Sequence, residues 1–114
     1  MNTPIHTTDE RFQADVLESE LPVLVEFTAA WCPPCRVMAP RLAELAAERD
    51  DLRVAVLDVD DNQATAARYG VLAMPTFLLF RAGQVAGRVV GARPKQRLVA
   101  ELEAQMLVQQ PAGG

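Results

Sequence analysis

The chain has 114 residues, half of them hydrophobic, with a net charge of −4 at pH 7 and a pI near 4.9. This is the length of one domain with enough apolar surface for one core, and the modest charge excludes disorder of the whole chain. An acidic balance without a basic cluster excludes nucleic acid as a partner, and no apolar run is long enough to span a bilayer.

The first ten residues, Met1 to Glu10, lack the basic start and apolar run of a secretion signal, so the expected location is the cytoplasm. Asp9 to Leu17 predicts a helix with Phe12, Val16 and Leu17 on one side and Thr7 or Thr8 as its cap. Pro22 breaks that pattern. Val23 to Phe27 is β-branched and apolar, and predicts a buried strand with one acid, Glu26, inside it. After Trp31-Cys32-Pro33-Pro34-Cys35, a helix is expected to about Arg49, because Val37, Met38, Leu42, Leu45 and Ala46 recur at three- and four-residue steps. Pro40 lies inside it and should bend it.

Leu52 to Val59 predicts a second buried strand. Asn62 to Tyr69 predicts a short helix ended by Gly70. Thr76 to Phe80 predicts a third strand, with a turn over Arg81 to Gln84 and a hairpin partner from Val85 to Val90. From Pro94 to about Val108 the spacing of Leu98, Leu102 and Met106 predicts a last amphipathic helix. Residues 1–108 therefore form one domain, and 109–114 read as a flexible C-terminal tail. Strands alternating with helices, closed by a hairpin, imply an α/β fold: a central mixed β-sheet flanked by helices on both faces.

The two cysteines stand three positions apart, and a disulfide between them would close too short a loop to staple the unfolded chain. A reactive role fits better. Cys32 follows a strand and opens a helix, where free backbone N–H groups and the positive end of the helix dipole favour a thiolate. The thiolate is the form that attacks a disulfide sulfur. Cys35 lies one turn on, along the same face, and can reach the Cys32 sulfur to resolve a mixed disulfide. Pro33 and Pro34 occupy the first turn, where a missing N–H costs little. The rival reading of a CxxC pair is half a zinc site. Zinc needs about four ligands, and the chain offers one further candidate of that kind, His6. No metal is expected.

Val23 to Arg36 resembles the active-site strand and helix of the thioredoxin family. Ala39-Pro40 is similar to the family's kinked helix, Tyr69 to Phe77 to its cis-proline loop, and Val90-Gly91-Ala92 to a third loop beside the cysteines. The resemblance covers nearly the whole chain in order. It implies a disulfide reductase acting through a mixed-disulfide intermediate, with Cys32 as nucleophile and Cys35 as resolving thiol. It also implies a substrate groove built by Trp31, Pro33, Pro34, Ala73, Met74, Pro75, Val90, Gly91 and Ala92, with Pro75 cis. No cofactor is bound in that reading; electrons come from NADPH through thioredoxin reductase, and the partners are that reductase and disulfide-containing client proteins. A monomer is the default. Glu26 resembles the family's buried acid, which trades a proton with Cys35.

The chain departs from the pattern at four places. Glu26 stands where the family usually has Asp, Val56 where a Lys often lies beside that acid, Pro33 where Gly is usual, and Thr28 where Trp is usual. Burial without a cation should push Glu26 toward its neutral form. Asp58, Asp60 and Asp61 read as a solvated strand end, and His6 as a surface residue without a role. The alternative function is a disulfide oxidase or isomerase of an oxidising compartment, with the same fold and a higher potential. A third reading is a binding module that uses the fold as a scaffold.

Overall fold

The computed structural model describes residues 2–109. Five strands form one sheet in the order β1-β3-β2-β4-β5: β1 Ile5–His6, β2 Val23–Thr28, β3 Arg53–Asp58, β4 Thr76–Arg81 and β5 Gln84–Val90. The first three lie parallel; β4 runs antiparallel to β2, and β5 antiparallel to β4. Three α-helices accompany them: α1 Pro33–Glu48, α2 Gln63–Arg68 and α3 Lys95–Gln109. The expected tail lies outside the described residues apart from Gln109, which closes α3.

Alternation along each strand divides the core into two layers. Val23, Val25 and Phe27 of β2 face one side, together with Ala55, Leu57, Leu78 and Phe80. That side is covered by Phe12 and Val16 from the N-terminal turn and by Ala66 of α2. The rings of Phe12, Tyr69 and Phe80 meet there, with centroids 5.1 to 5.8 Å apart. Leu24 faces the other side, where Phe77, Leu79 and Val54 meet Met38 and Leu42 of α1 and Leu98 and Leu102 of α3. The central strand is therefore buried on both faces by helices above and below, and apolar throughout Val23 to Phe27 except at Glu26.

Two local readings need correction. The helix expected over Asp9 to Leu17 is a single π-helical turn, Gln13–Leu17, closed by the Glu18 N–H donating to the Gln13 carbonyl at 2.9 Å. Thr8 Oγ1 accepts from the Arg11 N–H just before it, while Thr7 is buried with its hydroxyl unpartnered. The reason is long-range. Asp9 is tied to α2: its Oδ1 accepts from the N–H and hydroxyl of Thr65 and its Oδ2 from the N–H of Ala64. Its own N–H donates to Asn62 Oδ1 at 2.8 Å. These bonds hold the backbone where a helix would otherwise start, and they cap α2 with a carboxylate from a distant segment. The second correction is β1, which pairs with β3 through only two residues and leaves no period for a sequence to show.

The hairpin turn is two residues long, Ala82 and Gly83, both with positive φ (52° and 78°), which matches the twist of the flanking strands. α1 continues through Pro40, whose missing N–H leaves the Arg36 carbonyl without its helical donor.

Candidate active site

The β2 strand ends at Thr28, and a short loop carries the chain to Cys32, the N-cap of α1. Pro33 and Pro34 fill the first turn, where an N–H would have no helical acceptor. Cys32 and Cys35 are joined by a disulfide, with their Cα atoms 5.3 Å apart. The Cys35 N–H donates to Cys32 Sγ at 3.3 Å. This is a donor that otherwise lacks a partner at a helix start, aimed at the sulfur that would carry negative charge in the reduced state. Both cysteines are nearly covered, at 2 % and 3 % exposure.

Cys32 Sγ lies 3.5 Å from the Met74 carbonyl oxygen, and the Met74–Pro75 peptide is cis. The loop that carries them is fastened at both ends. Thr76 Oγ1 donates to the Ala73 carbonyl at 2.6 Å, and the Gly91 N–H donates to the Pro75 carbonyl at 2.8 Å. The second bond sets Val90, Gly91 and Ala92 beside Pro75. On the opposite side Trp31 is 62 % exposed, and its indole Nε1 donates to Asp60 Oδ2 at 2.9 Å. The Asp60 backbone is itself held by Asp58, whose Oδ1 accepts its N–H. Two large apolar side chains near these loops are exposed: Leu72, two residues before Met74, at 93 %, and Val90, the residue before Gly91.

Glu26 lies in β2 between Val56 of β3 and Phe77 of β4, on the face that α1 covers. It is 2 % exposed, and its Oε2 has no hydrogen-bond partner. Its neighbours across the sheet are apolar, so nothing offsets the loss of solvent, and burial pushes its pKa up from 4.5 to about 7. A cleft of about 370 Å³ opens on it, lined also by Cys35, Thr28 and Val56. Among the described residues, no group of three or more His, Cys, Asp and Glu is placed to hold a metal ion. Among the described residues, too, no helix is long and apolar enough to cross a membrane.

The family model described as thioredoxin matches residues 3–104. The chain belongs to the thioredoxin family. A thioredoxin of Mycobacterium tuberculosis is 52 % identical over 99 residues, which cover 86 % of this chain and 85 % of that protein. A thioredoxin of Streptomyces clavuligerus is 46 % identical over 94 residues, covering 82 % and 88 %. A protein of Mycobacterium leprae described as a bifunctional thioredoxin reductase/thioredoxin is 50 % identical over 99 residues, covering 86 % of this chain and 22 % of that longer protein. This thioredoxin-family chain is a thiol–disulfide oxidoreductase, a disulfide-reducing electron carrier working by dithiol–disulfide exchange at Cys32 and Cys35.

Of the residues named from the sequence, Cys32, Cys35, Met74 and cis Pro75 meet at the sulfurs, Gly91 is bonded to Pro75, and Glu26 shares a cleft with Cys35; Trp31, Pro33, Pro34, Ala73, Val90 and Ala92 adjoin these in the chain. Sequence reasoning missed four others. Asp60 bonds to Trp31, Thr76 ties the cis-proline loop, Leu72 is an exposed apolar side chain in that loop, and His6 lines the cleft with Glu26. Only Leu72 had a local signal, a large apolar side chain in a loop. The Thr76 bond spans only three residues but leaves no pattern in the sequence, and the places of Asp60 and His6 depend on contacts between distant segments.

Proposed function

We propose that this chain is the cytoplasmic dithiol donor of a thioredoxin system, recharged with electrons from NADPH by a thioredoxin reductase and passing them to client proteins as a monomer. A relative whose own description joins thioredoxin reductase and thioredoxin supports the reductase partnership. Both cysteines of the chain serve the redox pair, which suits a reducing compartment.

In the reduced protein the Cys32 thiolate attacks a client disulfide. The client S–S bond breaks, a Cys32–client disulfide forms, and the released client thiolate takes a proton from solvent. Cys35 then gives its proton to Glu26, directly or through water in the cleft, and its sulfur attacks Cys32 Sγ. The second client sulfur leaves as a thiolate and takes a proton from solvent, the client has gained two electrons, and the protein holds the Cys32–Cys35 disulfide. Trp31, Pro33 and Pro34 form one wall of the client groove, with Ala73, Met74 and Pro75 beside the sulfurs and Val90, Gly91 and Ala92 on the far side. The Met74 backbone would pair with an extended client segment.

The observation that carries this reading is the buried Glu26 carboxyl in the same cleft as Cys35, its Oε2 without a hydrogen-bond partner and its pKa pushed up by burial to about 7. It supplies a base for the resolving thiol at working pH. Insulin reduction driven by NADPH through a thioredoxin reductase tests the whole cycle. Turnover that is lost in Cys32→Ser and slowed in Glu26→Gln supports it. No turnover with several reductases, together with activity in oxidative refolding, would favour an oxidase or isomerase instead.

A further inference from the structure

The cleft beneath Cys35 has an outer end that the exchange chemistry above does not use. Its mouth is lined by His6, Asp58, Arg36 and Pro4, and its floor by Glu26 and Cys35. None of the groove residues Trp31, Met74, Pro75, Val90, Gly91 and Ala92 belongs to it. A client seated over the sulfurs therefore covers one approach and leaves this one open.

His6 is the only histidine in the chain and is exposed. It pairs with Val56 of β3, and Val56 pairs with Glu26 of β2. The three side chains lie in one row on the α1 side of the sheet, while Ile5 turns to the opposite layer. His6 and Glu26 are thus two strand spacings apart, about 10 Å. Val56 between them is too short to fill the row, and the cleft over it has room for a short chain of waters.

We propose that His6 is the outer proton-relay residue of the site, exchanging with solvent the proton that Cys35 and Glu26 pass between them. The inference rests on the reading of Glu26 as proton partner. When Cys35 attacks, its proton moves to the Glu26 carboxylate. Before the next cycle that proton crosses the cleft to the His6 imidazole and leaves to solvent. When the disulfide is reduced again, a proton travels inward to the Cys35 thiolate. Imidazole is the one side chain that ordinarily takes up and releases protons between about pH 5 and 8. The other charged groups at the mouth each hold part of the backbone. Asp58 Oδ1 accepts the N–H groups of Asp60 and Asp61, and Arg36 Nη1 donates to the Ala30 carbonyl at 2.9 Å. Val56 and Pro4 carry no charge.

The test is turnover of insulin disulfides driven by dithiothreitol at low buffer concentration, comparing wild type, His6→Ala, His6→Gln and Glu26→Gln, each with and without added imidazole. Both His6 variants should turn over several-fold more slowly near pH 7, at about threefold or more, and free imidazole should restore them while leaving wild type unchanged. Glu26→Gln should be slow and unrescued. His6 variants that match wild type at every buffer concentration would overturn the relay and leave the role of Glu26 standing. His6 variants that are slow and not rescued would mark a structural fault and overturn it equally. Glu26→Gln as fast as wild type would remove both readings.

Discussion

Glu26→Gln should make the oxidised protein more stable at alkaline pH than its parent, and the difference should grow with pH. The carboxyl is buried between Val56 and Phe77, its Oε2 has no partner, and its pKa is pushed up from 4.5 to about 7. Between those two values the folded chain keeps a proton that the unfolded chain has released, so raising the pH favours unfolding. The stability carried by the neutral carboxyl is complete below the unfolded value and is lost as the pH rises through the folded one. A displacement of that size corresponds to about 3 kcal/mol between the two limbs. Glutamine fills nearly the same volume and cannot ionise. Urea denaturation of the oxidised forms from about pH 4 to 9 should show a gap between the variants that is flat at the acid end. From about pH 4.5 to 7 it should widen in favour of glutamine by about 3 kcal/mol, then level off. Parallel stability curves would refute the reasoning, because they would mean that Glu26 titrates alike in the folded and unfolded chain.

Other consequences follow from particular contacts. Asp9→Ala removes the acceptor of the Ala64 and Thr65 N–H groups at the start of α2 and should cost about 1 kcal/mol in urea denaturation. Hydrogen bonds from Thr65 hold the Asp9 pKa below its ordinary value, so that stabilisation should be present near neutrality and fade as acid protonates the carboxylate. Gly83→Ala should cost more than Gly70→Ala. Both sites have positive φ, but a Cβ at Gly83 would stand 3.0 Å from the Leu17 carbonyl oxygen, whereas one at Gly70 meets nothing within 4 Å. The second should lose about 1 kcal/mol and the first clearly more, read as shifts of the denaturation midpoint. Trp31→Ala removes a wall of the client groove without touching the sulfurs. It should raise KM for a protein client by about tenfold and leave the reaction with a small disulfide nearly unchanged. Equal losses for both substrates would place Trp31 in the chemistry instead.

Much of this architecture was legible because the signals were local. The β2 run, the Pro-Pro start of α1, the turn at Ala82-Gly83 and the spacing of Leu98 and Leu102 each fix an element from neighbouring residues. Burial of Glu26 was legible too, since the residues around it are apolar and no strand of that kind turns a face to water. The rest depends on segments far apart in the chain. The period of Asp9 to Leu17 suggests a helix, but four hydrogen bonds between Asp9 and residues 62 to 65 leave only one π-helical turn. β1 is two residues long and invisible to any period. Without β1 at the edge of the sheet, His6 reads as a surface residue, and its place in line with Val56 and Glu26 emerges only from the strand order β1-β3-β2. Likewise the Trp31–Asp60 bond joins two residues that the sequence separates widely.

Exchange at this site depends most on the charge state of one sulfur at the start of α1. The direct measurement is the rate of alkylation of each cysteine in the reduced protein by iodoacetamide at about pH 7, resolved by peptide mass analysis. The Cys35 N–H aimed at Cys32 Sγ and the helix dipole behind it predict that Cys32 reacts about tenfold faster than free cysteine, with Cys35 far slower. A Cys32 rate no greater than that of free cysteine would contradict the account.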